Sequence, residues 1–174
     1  RTLNTAGTTT WTGNNILYTG TGSVITNSGT WDSQGNATMD VGSFFAAPST
    51  FNNNGTFRKS AGTGITLISP AFNNTSTVEA NSGTLRLAGG GTSSGSFLGL
   101  AAGTLVFGGG THTLLAASSI SAPNVSFSGG TANVQGTYNV AGSTTVNGGT
   151  ANFLAAGTVA SVGARSFSAT SAEY

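Results

Sequence analysis

The chain has 174 residues, enough for one ordinary domain or one run of a solenoid. It carries 5 Lys+Arg and 4 Asp+Glu for a net charge of +1, so 5% of it is charged where a soluble domain has about 25%. That scarcity removes nucleic acid as a partner, since phosphate binding needs clustered cations, and the lack of Cys removes disulfides and thiolate metal sites.

Solubility must come from Thr, Ser and Asn. The 28 glycines and many hydroxyls invite a disordered reading, but 37% hydrophobic content and 10 Phe in regular alternation oppose it. No apolar run reaches the 18 residues that suggest a membrane span, so membrane insertion is not expected. Arg1 is followed by polar residues rather than an apolar leader segment, and a start without Met reads as a mature product or an excerpt.

At the N-terminus, Thr8-Thr10-Thr12 and Thr19-Thr21 are Thr-x-Thr groups, echoed later by Thr111-Thr113. A flat array that orders water or binds ice would need such groups at a constant coil period, and these three do not recur that way. Next comes a repeat. Ile25-Thr26-Asn27-Ser28-Gly29-Thr30-Trp31 aligns with Phe51 to Phe57 and with Phe72 to Val78. In each copy an apolar residue is followed two later by Asn, and four after that by another apolar residue. Period-2 alternation predicts short half-buried strands, with Trp31 facing inward. Asn27, Asn53 and Asn74 are predicted to stack as a ladder at one corner, amide on amide.

The acidic residues are Asp32, Asp40, Glu79 and Glu173. Asp32 and Asp40, eight apart, belong on adjacent sides of one coil, with Arg58 one coil above. Acidic groups beside an Arg resemble the calcium-and-arginine sites of pectate-lyase-like β-helix enzymes. Two carboxylates are too few oxygen ligands for a good calcium site, so no catalytic residue, metal or cofactor is expected. Gly83-Thr84-Leu85-Arg86-Leu87 and Gly103-Thr104-Leu105-Val106-Phe107 are a further matched pair, with the leucines and Phe107 inward and Thr84 and Arg86 outward. Gly89 to Gly91 and Gly108 to Gly110 neither precede a helix nor lead to Gly-Lys-Ser/Thr, so they are predicted turns rather than phosphate loops. The single His, His112, has no carboxylate nearby in sequence to orient it. Alternation from Leu114 places it inward or at a corner, as a structural or surface residue. Sequons stand at Asn36, Asn54, Asn73, Asn74 and Asn124 and matter only in a eukaryotic secretory pathway.

The clearest repeat is last. Gly129-Gly130-Thr131-Ala132-Asn133-Val134 returns after 19 residues as Gly148-Gly149-Thr150-Ala151-Asn152-Phe153. Between them lie Thr137 to Val140 and Thr144 to Val146. Three strands per period give sides of about six residues, too short for a two-layer sandwich with turns every 8–12 residues. The geometry is a three-sided parallel β-helix with coils of about 19–27 residues, seven or eight in all. Ala132, Val134, Tyr138, Val140, Val146, Ala151 and Phe153 face in. Thr131, Asn133, Thr137, Asn139, Thr145, Thr150 and Asn152 face out.

Asn-Ser-Gly-Thr-Trp at 27–31, Asn-Asn-Gly-Thr-Phe at 53–57, Asn-Ser-Gly-Thr-Leu at 81–85 and Gly-Thr-Tyr-Asn-Val at 136–140 resemble the β-strand-repeat tracts of large bacterial secreted and surface proteins. These are similar to filamentous-haemagglutinin-like adhesins and autotransporter passengers. The resemblance covers residues 11 to 160, without the secretion domain or barrel of those families. It implies an extracellular or cell-surface setting and a structural or adhesive role. The chain accordingly reads as one solenoid over residues 1–174, an excerpt or subunit of a longer solenoid or fibre. Neither Thr8 to Trp11 nor Phe167 to Tyr174 looks like a cap. The expected partners are flanking solenoid coils or further copies, with surface glycans as a second class. A carbohydrate-binding or polysaccharide-processing β-helix is the alternative.

Overall fold

The computed structural model describes residues 1–42 and 48–167. Within them the chain winds into a parallel β-solenoid of about 8 turns without helix. Residues 168–174, which include Glu173 and most of the C-terminal stretch expected to lack a cap, lie outside this description.

Each turn contributes one strand to each of three sides. The first holds β1 (Thr2–Thr5), β2 (Thr8–Trp11) and β3 (Ile16–Tyr18), and the second β4 (Val24–Asn27), β5 (Thr30–Ser33) and β6 (Thr38–Asp40). The third holds β7 (Thr50–Asn53), β8 (Thr56–Lys59) and β9 (Ile65–Ile68), and the fourth β10 (Ala71–Asn74), β11 (Thr77–Ala80) and β12 (Gly83–Leu87). The fifth and sixth comprise β13 (Gly91–Ser93), β14 (Ser96–Gly99), β15 (Gly103–Leu114), β16 (Ser119–Ser121) and β17 (Asn124–Val134). The last two are completed by β18 (Thr137–Asn139), β19 (Ser143–Val146), β20 (Thr150–Phe153), β21 (Thr158–Ser161) and β22 (Ala164–Phe167).

Among the described residues every strand pair is parallel and joins successive turns, so the same residue position recurs in a column on each side. On side one Ile25, Phe51 and Phe72 stack, as do Asn27, Asn53 and Asn74. On side two the column is Trp31, Phe57, Val78, Phe97, Ile120 and Tyr138. On side three Leu85, Leu105 and Val125 stack beside Leu87, Phe107 and Phe127. The sequence repeats are thus the register of the solenoid: Thr131 to Val134 lie directly against Thr150 to Phe153. The longer offset between the first and second copies of the Asn repeat arises in the longer connection from β6 to β7.

Alternation decides burial because one face of every strand meets the prism interior. Ala132, Val134, Tyr138, Val140, Val146 and Ala151 are buried, and Phe153 packs on them from the partly open last turn. The rings interlock along the axis: Phe51 stacks on Phe72 at 5.2 Å and Phe107 on Phe127 at 5.4 Å, with Phe57 edge-on to Phe51 and Phe72. Trp31 is in the core, as predicted. The buried hydroxyl of Tyr138 meets Thr144 Oγ1 at 2.8 Å, which explains a Thr at an inward position.

One expectation is corrected. Gly108 to Gly110 do not interrupt the ladder; β15 runs from side three around the corner into side one, and β17 does the same through Gly129-Gly130. The reason is steric. Gly110 and Gly130 adopt φ of 65° and 67°, and a Cβ at either would strike backbone of the adjacent coil. The corner therefore bends sharply, with a register shift at Gly108 instead of a loop.

Candidate functional site

Asn27, Asn53 and Asn74 are fully buried at the inner end of side one, where the chain turns to side two. Asn27 Nδ2 donates to Asn53 Oδ1 at 2.9 Å, and Asn53 Nδ2 to Asn74 Oδ1 at 2.9 Å. The same amides donate across the corner to the carbonyls of Thr56 and Thr77 at 3.0 and 2.8 Å. Thr5 Oγ1 supplies the lower end of the series, donating to Asn27 Oδ1 at 3.1 Å. Above Asn74 the same column continues as Ser93, Leu114, Val134 and Phe153. The amides therefore satisfy corner backbone in the lower turns, and apolar contacts fill that position in the upper ones.

Asp32, Asp40 and Arg58 do not converge on one cleft. Asp32 and Arg58 are neighbours on the outer face of side two and form an ion pair, Nη2 to Oδ2, at 2.9 Å. Burial pushes the Asp32 carboxyl up, but hydrogen bonds from Arg58, Ser60 and Gln34 and the Arg58 charge outweigh it and hold the pKa at about 2. Arg58 continues the column to Glu79, giving the order acid, base, acid across three turns. Asp40 is on side three, where its Oδ1 accepts from Gly42 N at 3.2 Å. Among the described residues no group of three or more His, Cys, Asp or Glu could hold a metal ion. A hollow near the first turn is lined by Arg1, Tyr18, Gly20, Thr21 and Ser23.

His112 points inward and is buried, edge-on to Phe107 at 5.0 Å. Burial holds its pKa at about 4, against upward pulls from backbone hydrogen bonds to Leu87 and Gly109. Its Nε2 has no hydrogen-bond partner. The folded pKa lies below the unfolded value of about 6.5. The unfolded chain therefore binds a proton first as pH falls, and stability held above pH 6.5 declines down to about pH 4. The loss should approach about 3 kcal/mol. A urea-midpoint profile of the protein should show this decline between those pH values, and His112→Leu should flatten it. Below that window the Asp32 contribution, complete above pH 3.8, is lost as pH approaches 2.

Sequence reasoning missed Lys59. It is fully buried, and its Nζ donates to the carbonyls of Gly35 and Ala61 at 2.7 and 3.0 Å. Thr66 Oγ1 donates to the same Gly35 oxygen at 3.0 Å and meets Ser33 Oγ at 3.1 Å. Burial lowers the Lys59 pKa. The signal was available in strand parity: Phe57 in, Arg58 out, Lys59 in.

The outer faces differ in kind. Side two carries an unbroken hydroxyl column of Thr8, Thr30, Thr56, Thr77, Ser96, Ser119, Thr137 and Thr158 beside the charged one. Side three mixes Ile65, Leu67, Arg86 and Val106. Side one has no charged residue on its strands' outer face. Its outer column ends in Thr92, Thr113, Asn133 and Asn152 after Asn52 and Asn73. Asn73 Nδ2 donates to Asn52 Oδ1 and Asn152 Nδ2 to Asn133 Oδ1, at 3.0 and 2.9 Å. Of the Thr-x-Thr groups, Thr8 and Thr10 lie on side two, and Thr19 is buried against Ser49. Thr111 and Thr113 do join a repeating array: they pair with Thr131 and Asn133, which pair with Thr150 and Asn152. Of the sequon residues, Asn74 is buried in the interior amide series.

No protein-family model matches the chain, and no curated protein or solved structure shows significant similarity to it.

Proposed function

We propose that the chain is a structural or adhesive segment of an extracellular or cell-surface solenoid, lengthened by further coils of the same kind. The observation that supports this is the column register kept on three sides through about 8 turns, with shifts at the Gly108 corner and after Tyr138. Such a stack transmits load through parallel ladders and contiguous apolar columns, each fully buried large side chain contributing about 1.5–3 kcal/mol. The low charge suits it, because outward residues stack every turn and like charges in a column would repel. Where a column is charged, signs alternate from Asp32 through Arg58 to Glu79.

Among the described residues the first and last turns present strand edges and apolar side chains, with Leu3 and Val159 nearly half exposed. Edges of this kind accept another strand, from the same chain or from a second copy. Light scattering across a concentration series, with electron microscopy, should then show rods of constant width that lengthen with concentration. A strictly monomeric species at high concentration would remove self-assembly. Protease shaving of intact producing cells tests placement: peptides of this chain released from the surface support it, and recovery only after lysis contradicts it.

A further inference from the structure

Side one of the prism carries an inference independent of that structural role. In the three uppermost turns its outer face presents Thr111 and Thr113, Thr131 and Asn133, and Thr150 and Asn152, row upon row in register. Rows along the axis are about 4.8 Å apart, and the two columns, two residues apart on a strand, about 6.7 Å. This is a rectangular grid of groups that each donate and accept hydrogen bonds. Below it the Asn/Thr column continues through Thr92, Asn73 and Asn52.

The chemistry narrows the occupant. The face bears no charge, so it offers nothing to an ionic surface or a polyanion. It has no outward aromatic on which a sugar ring could stack, and exposed Tyr18 belongs to side three. Its extent, roughly 400 Å² from strand spacing and width, is about half of what one partner contributes to a stable protein interface. What remains complementary is a neutral, rigid, periodic lattice of hydrogen-bond donors and acceptors. We propose that this Thr/Asn face binds ice.

Three physical features favour it. The grid has the scale on which oxygen positions repeat on faces of hexagonal ice. The β-branched threonines have restricted χ1 freedom, and the hydrogen bond from Asn152 Nδ2 to Asn133 Oδ1 fixes two further groups, so little side-chain entropy is lost on binding. The strands are tied to a packed core through Ala132 and Ala151, which keeps the rows coplanar with the sheet rather than on mobile loops.

The test uses the chain as it stands, with polycrystalline ice wafers and single ice crystals as probes. The folded protein should slow ice recrystallisation and open a gap between melting and freezing points. Asn133→Tyr, which puts a ring in the middle of the grid, should lower potency by about tenfold, as loss of a central contact does in a small interface. Thr145→Tyr on side three should leave it unchanged. Circular dichroism establishes the fold of each variant, and Thr131→Tyr replaces Asn133→Tyr if the latter misfolds. Absence of any ice activity in the folded unsubstituted chain overturns the proposal. So does equal loss in the side-three variant, or retention on insoluble polysaccharide with no effect on ice.

Discussion

Replacing Phe57 by Ala should cost about 3–5 kcal/mol of unfolding free energy, the range for a large ring removed from a close-packed interior. Phe57 is fully buried, stacked 6.5 Å from Trp31 and edge-on to Phe51 and Phe72 at 5.4 Å. Its neighbours above and below are held by backbone ladders on three sides and cannot collapse into the space. Thr56→Ala, one residue earlier and facing outward, should change stability by less than about 0.5 kcal/mol. Urea unfolding followed by circular dichroism reads both. Equal effects at the two positions would mean that side-chain parity on side two is not as described.

The second large effect lies in the amide series. Asn53→Ala removes the acceptor for Asn27 Nδ2 and the donor to Asn74 Oδ1 and to the Thr77 carbonyl. All three amides are fully buried, so no water replaces the lost bonds. Each orphaned buried group costs about 1–3 kcal/mol. Asn27 and Asn74 retain other backbone partners, so the total should be about 3 kcal/mol. Asn52→Ala, on the outer face, loses one partly exposed bond to Asn73 and should cost about 1 kcal/mol or less. Two adjacent residues of the same type would thus differ severalfold in consequence, because one faces the prism interior and the other solvent.

The architecture was legible because stacking in register leaves a direct trace. Thr131 to Val134 and Thr150 to Phe153 share their sequence because they share a position, and Leu85 matches Leu105 for the same reason. Alternation then separated Val134 from Asn133 and Trp31 from Thr30. What stayed hidden lay where spacing varies or parity was not pursued. The longer connection between β6 and β7 shifts the period, and above Thr113 its column continues as Asn rather than Thr. Hence Thr111-Thr113 looked isolated although Thr131/Asn133 and Thr150/Asn152 continue it. Lys59 reads as half of a basic pair with Arg58, yet the strand sends the two side chains to opposite faces. Gly108 to Gly110 reads as a turn, and only the close approach of adjacent coils shows why pairing persists through it.

The account depends on successive turns rising by one strand spacing with equivalent residues in line. Nitroxide pairs on the outer column of side one test this directly by pulsed electron-electron resonance. Labels replacing Asn52 and Asn133, four turns apart, should centre near 19 Å, and labels replacing Thr26 and Asn152, six turns apart, near 29 Å, at about 4.8 Å per turn. A distance that grows in proportion to the number of intervening turns agrees with the solenoid. Distances that are equal, or that shrink as the turns between labels increase, would contradict it.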